Sequence, residues 1–171
     1  AIWEGAKMML NVTVGPVMSP DGLLSVAGQD APYFRTSEFS DVVLRCERSM
    51  LDLLHAPDGS RCVFLTASGT GAMEAVVMDV LRPGERVAVV NGGRFGLRFV
   101  DLCRLHGHEV DEVRLDFGKH ITREMLESCL GDSVTALLAN MPAKSSGLLY
   151  DLPMITDFYR SRAIPLLVDA V

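Results

Sequence analysis

The chain has 171 residues, 49% hydrophobic and 22% charged, and carries a formal net charge of -6. That length and composition suit one ordinary globular domain with a substantial core. An acidic balance with only three lysines, Lys7, Lys119 and Lys144, argues against a nucleic-acid footprint, which requires clustered cations on one face. No apolar run approaches the roughly 20 residues of a membrane span, and the N-terminus has no basic region followed by an apolar signal segment. Four cysteines (Cys46, Cys62, Cys103 and Cys129) stand without a paired framework, which fits reduced thiols and a cytoplasmic location.

Residues 1–9 show no period. Residues 11–16 read as a short strand-like piece ended by Gly15 and Pro16, and the stretch to Phe34 is rich in Gly, Pro, Ser and Asp, so residues 1–36 are expected to form an irregular N-terminal segment. From Ser37 the pattern changes. Phe39, Val42, Val43, Cys46, Met50, Leu53 and Leu54 recur at three- and four-residue spacing, which predicts a long amphipathic helix closed by the Pro-Asp-Gly turn at 57–59.

Residues 61–67 read as a first buried strand, followed by small residues and a helix over 70–81. A second strand at 86–90 leads through Asn91-Gly-Gly-Arg-Phe-Gly96 into a helix ending near His106, with Gly107 as its C-terminal cap. Further strands are predicted at 110–115, 134–139 and 164–168, with a Thr122-capped short helix and a helix at 153–162 that has proline in its first turn. Strands that are continuous apolar runs alternating with helices indicate a doubly wound, three-layer α/β fold with a mostly parallel sheet. Such sheets bind ligands beyond the carboxyl ends of their strands, so the loops after Ala67, Val90, Ala139 and Val168 become the candidates.

The loop Ser68-Gly-Thr-Gly71 leaves bare backbone where a helix begins, an arrangement that favours anions. A dinucleotide fingerprint is not met, because Glu74 stands at the third glycine position and the next strand ends in Asn91-Gly-Gly instead of an acidic residue. No Gly-Lys-Ser/Thr of a Walker loop occurs. Cys103, His106 and His108 resemble a ligand string, but the plainer reading is a helix terminus flanking Gly107, with no second cluster to complete a zinc site. His55 and His120 stand alone at turns.

The remaining phosphate-bearing cofactor that this set of loops suits is pyridoxal 5'-phosphate. It needs a phosphate cradle, an aromatic face, a carboxylate beside its pyridine nitrogen and a lysine. Ser68 to Thr70 offer the cradle, Phe95 the face and Asp169 the carboxylate. Taken singly, a satisfied turn, a core phenylalanine and a helix-capping aspartate explain the same residues equally well.

Five stretches in order, Thr13-Val-Gly-Pro16, Phe34-Arg-Thr-Ser-Glu-Phe39, Ala67-Ser-Gly-Thr-Gly-Ala-Met-Glu-Ala75, Asn91-Gly-Gly-Arg-Phe-Gly96 and Leu166-Leu-Val-Asp-Ala-Val171, resemble the class V aminotransferases of pyridoxal phosphate fold type I. The resemblance implies that residues 37–171 are part of the cofactor-binding large domain. It also implies that Ser68, Gly69 and Thr70 hold the cofactor phosphate, that Phe95 stacks on the ring, that Asp169 pairs with the pyridinium nitrogen and that Val171 packs on the other ring face. Gly15 and Pro16 match the segment bordering the substrate side. The implied reaction moves an amino group from an amino acid to a 2-oxo acid in a homodimer.

Two departures stand out. The family's Schiff-base lysine falls beyond Asp169, where this chain stops, so a fragment inactive by itself is expected. At Met141-Pro-Ala-Lys-Ser-Ser-Gly147, Lys144 occupies the place of the hydroxyl residue near the cofactor's phenolic oxygen, with Ser145 one position on. The competing expectations are a non-catalytic Rossmann-like binding or interaction domain, and a lyase or desulfurase relative sharing the cofactor.

Overall fold

The computed structural model describes residues 11, 15, 17–141, 143 and 145–170. The chain divides into two compact units, Ala1–Phe64 and Leu65–Val171. In the first unit a short helix α1 (Asp21–Ala27) falls within the stretch expected to be irregular. Helix α2 (Ser37–Leu53) starts where the threonine cap directs: Thr36 Oγ1 accepts from the Phe39 N–H at 3.2 Å. Its buried residue is Glu47, which accepts from Arg61 Nε at 2.7 Å and from the Cys62 N–H at 3.0 Å, tying the chain beyond the 57–59 turn back to the helix.

The strand expected at 61–67 does not form. The apolar pattern is there, but a strand exists only through ladder bonds to a neighbour, and no strand among the described residues pairs with this stretch. Val63 is 76% exposed, and at its end the Ala67 N–H turns back to Leu65 O at 3.0 Å.

The second unit alternates helix and strand: α3 (Gly69–Val80), β1 (Arg86–Asn91), α4 (Arg94–Leu105), β2 (Glu109–Arg114), α5 (Arg123–Cys129), β3 (Val134–Asn140), α6 (Leu152–Ser161) and β4 (Leu166–Asp169). All three pairings are parallel and the order is β2-β1-β3-β4. The pleat sends alternate residues of β1 to opposite faces. Val87 and Val89 join Met73, Val77, Phe99 and Cys103 under α3 and α4, while Ala88 and Val90 join Leu126, Ile155 and Phe158 under α5 and α6. The three layers expected from the sequence follow directly.

Helix ends match their cap chemistry. Thr122 Oγ1 accepts from the Met125 N–H at 3.3 Å. Gly107 has φ +81°, and the 108-to-103 and 107-to-104 backbone bonds form a Schellman motif. The last strand begins at Leu166, two residues late, because Ala163 adopts φ +54° and Pro165 has no N–H to give a ladder. The chain runs from β1 outward to β2 and then back to β3 on β1's other side, so the strand order reverses between β1 and β3. That reversal opens a crevice at the carboxyl ends of the central strands.

Candidate active site at the strand tips

Helix α3 begins beside this crevice. Ser68 caps it, its Oγ accepting from the Gly71 N–H at 3.2 Å, so the hydroxyl proton is free to donate outward. The N–H groups of Gly69 and Thr70 are the first of the helix and have no intrahelical acceptor. No acidic residue in the first turn offsets the positive helix end. A Cβ on Gly69 would meet nothing within 4 Å, whereas one on Gly71 would lie 3.0 Å from the Ala67 Cβ. Gly71 therefore serves packing, and Gly69 leaves open space at the helix mouth. Arg98, on the second turn of α4, donates from Nη1 to Thr70 Oγ1 at 3.0 Å.

At the tip of β1, Asn91 organises the loop that carries Phe95. Its Oδ1 accepts from the Gly93 N–H at 3.3 Å and its Nδ2 donates to Glu112 Oε1 at 2.6 Å. Glu112 is itself gripped by Arg114 and Arg104. The Arg114 hydrogen bond, more than any other contact, holds its carboxyl below the usual glutamate range. Gly96 fits against the strand it follows: a Cβ there would stand 2.6 Å from Val90 O and 2.8 Å from the Asn91 Cα. Phe95 is 37% exposed and lines a small hollow with Gly92, Asn140, Ser145 and Tyr150.

Asp169 ends β4 in register with Asn140, which ends β3. Asn140 is 5% exposed, and its Nδ2 donates to Asp169 Oδ2 at 2.6 Å and to Asp169 O at 3.4 Å, while the Met141 N–H donates to the same carbonyl at 2.7 Å. The carboxylate is thus pinned at the sheet edge. Asp169 and Gly69 line one hollow of about 190 Å³ with Met73, Val76, Phe99 and Val168. Asn140, which lines the hollow beside Phe95, is the hydrogen-bond partner of Asp169 in the other.

Of the residues singled out by sequence, the second unit gathers Ser68, Gly69, Thr70, Phe95 and Asp169 at one end of its sheet. Gly15 belongs to the first unit, and Pro16, Lys144 and Val171 lie outside the described residues. Asn140 and Arg98 escaped sequence reasoning. The signal for Asn140 was a polar side chain closing an apolar strand, whereas nothing local distinguishes Arg98 from other surface arginines. The Cys103 string does not assemble a metal centre: Cys103 is wholly buried and its thiol is pushed up to about 11 by burial, and His106 Nε2 lies 2.9 Å from Glu74 Oε1. Among the described residues no three His, Cys, Asp or Glu side chains come together as ligands. Likewise no helix of the described residues is long and apolar enough to cross a membrane.

Comparisons with known proteins bear on the family and the fold. The soluble hydrogenase 42 kDa subunit of Anabaena cylindrica is 29% identical over 170 residues, covering 96% of this chain and 44% of that protein. L-aspartate--glyoxylate aminotransferase of Paracoccus denitrificans is 30% identical over 98 residues, or 54% of this chain and 25% of its own length. The crystal structure of a subgroup IV aspartate aminotransferase from Thermus thermophilus superposes with a TM-score of 0.74 at 28% identity, covering 88% of this chain and 42% of that one. The chain therefore spans less than half the length of these relatives. The family model described as Aminotransferase class-V matches residues 26–171, and with that match across most of its length the chain belongs to the class V aminotransferase family.

Proposed function

We propose that the chain is the cofactor-binding portion of a pyridoxal phosphate-dependent aminotransferase that moves an amino group from an amino acid to a 2-oxo acid. The observation carrying this reading is the shared hollow, lined by an aspartate pinned by Asn140 and by Gly69, the first residue of α3, whose N–H has no intrahelical acceptor. The donor set suits the cofactor at both ends. Ser68 Oγ–H, Thr70 Oγ–H and the Gly69 and Thr70 N–H groups would hold the phosphate, a helix N-terminus being a ready anion site. Asp169 would hold a proton on the pyridine nitrogen, with Asn140 restraining the carboxylate's rotation. Phe95 would cover one ring face and Val171 the other, excluding water from the ring.

When bound, pyridoxal phosphate supplies the electron sink that amino-group transfer requires. The chain's own contribution is to seat that group and keep its nitrogen protonated. A homodimer in the cytoplasm is the assembly and location we assign to the whole protein, on the strength of family membership and of four cysteines without a paired framework.

The test is titration of the chain with pyridoxal phosphate, followed by visible absorbance and thermal melting. A saturable band and a rise in melting temperature are expected, since ligand at about 100 times its dissociation constant adds about 2.7 kcal/mol to a folded site. Asp169→Ala should alter the band and weaken binding. Absence of a saturable band with the wild-type chain overturns the assignment and leaves a non-catalytic domain of the same fold.

A further inference from the structure

Thr70 Oγ1 receives a hydrogen bond from Arg98 Nη1 at 3.0 Å across the gap between α3 and α4. A guanidinium is only a donor and stays protonated at every accessible pH. It therefore occupies an oxygen lone pair and compels the Thr70 hydroxyl proton to point elsewhere. Thr70 also contributes one of the helix's uncapped backbone donors. Among the described residues no ion pair joins Arg98 to a carboxylate.

We propose that Arg98 is a positioning residue that makes the cofactor site selective for the phosphorylated form of its ligand, by holding the Thr70 hydroxyl as a donor and adding a fixed positive charge beside the helix mouth. The inference rests on the reading of Ser68, Gly69 and Thr70 as the phosphate cradle. A dianion at that mouth gains from both contributions, because hydrogen bonds to ionised groups are roughly twice as strong as neutral ones. A ligand with the same ring and no phosphate gains from neither.

The experiment measures dissociation constants of pyridoxal phosphate and of unphosphorylated pyridoxal, by absorbance, for the wild-type chain and for Arg98→Met, Arg98→Lys and Thr70→Val. Arg98→Met should weaken pyridoxal phosphate about tenfold and leave pyridoxal unchanged, with Arg98→Lys between the two. Because the residues touch, Thr70→Val combined with Arg98→Met should cost less than the two single losses multiplied. Far-UV circular dichroism and melting confirm that each variant is folded, and Arg98→Lys, compared for both ligands, carries the test should Arg98→Met fail to fold. Equal losses for both ligands, or no loss for either, overturn the role of Arg98 alone. A wild-type chain that binds pyridoxal phosphate no better than pyridoxal overturns the cradle itself, and the inference with it.

Discussion

Replacing Gly69 by alanine separates the demands of the fold from those of the cofactor. Gly69 is the first residue of α3, in ordinary helical backbone, and a Cβ there meets nothing within 4 Å. Packing therefore opposes the methyl group nowhere. Alanine loses less backbone entropy than glycine on folding, so the unliganded variant should be as stable as the parent or more so, by about 0.5 kcal/mol. For a chain of this size that corresponds to a rise of about 1–2 °C in melting temperature. The same Cβ would add bulk at a residue that lines a hollow with Asp169. If phosphate approaches the Gly69 N–H, the methyl group stands in its way, and loss of one hydrogen bond to a charged group should weaken pyridoxal phosphate about tenfold or more. Urea denaturation without ligand and absorbance titration with it read the two effects separately. Unchanged affinity would show that no phosphate approaches residue 69, and a loss of more than about 1 kcal/mol of unliganded stability would show that the fold itself requires the glycine.

Gly96→Ala should behave in the opposite way: its Cβ collides with Val90 O and the Asn91 Cα, backbone atoms of β1 that have no rotamer to change, so a loss of about 1–3 kcal/mol is expected in thermal or urea melts even without ligand. Glu112→Gln should reduce stability at neutral pH and flatten the acid side of the stability profile. The folded Glu112 carboxyl lies below its ordinary range chiefly through Arg114, so its contribution is complete above about pH 4.3, the unfolded value, and disappears as pH falls through the folded one. Urea midpoints measured from pH 7 to pH 3 should therefore converge for parent and variant in acid; parallel profiles would contradict that account.

Most of the architecture was legible in the chain because it depends on local chemistry. Threonine and serine caps at 36, 68 and 122, the glycine at 107 and the apolar spacing of 37–54 specify where helices start, stop and face, and each acts within a few residues. The 61–67 stretch shows the limit of that logic. Its composition is that of a buried strand, yet strand formation depends on a partner distant in sequence, and hydrophobic pattern alone carries no information about whether one is present. The short helix α1 illustrates the converse, since a Gly- and Ser-bearing heptapeptide gives little periodicity to read.

The site divides in a similar way. Ser68, Gly69, Thr70, Phe95 and Asp169 could be chosen from sequence because each follows or ends a recognisable element and has the side chain that a phosphorylated pyridine needs. Phe95 and Asp169 come to one sheet end because parallel strands have tips that share a side, whereas Gly69 lines a hollow with Asp169 from the start of α3, with no strand before it. Asn140 and Arg98 emerged only from the fold, because their significance lies in what they touch: the first faces Asp169 through β3-β4 register across 29 residues, and the second reaches Thr70 across 28. Sequence by itself determined most of the elements, the layered class and the residue types offered to a ligand, since these follow from short-range sterics and periodicity. Tertiary structure alone decided which of those residues are oriented, and by whom, since hydrogen-bond partners are set by the crossing of strands and helices and not by spacing along the chain.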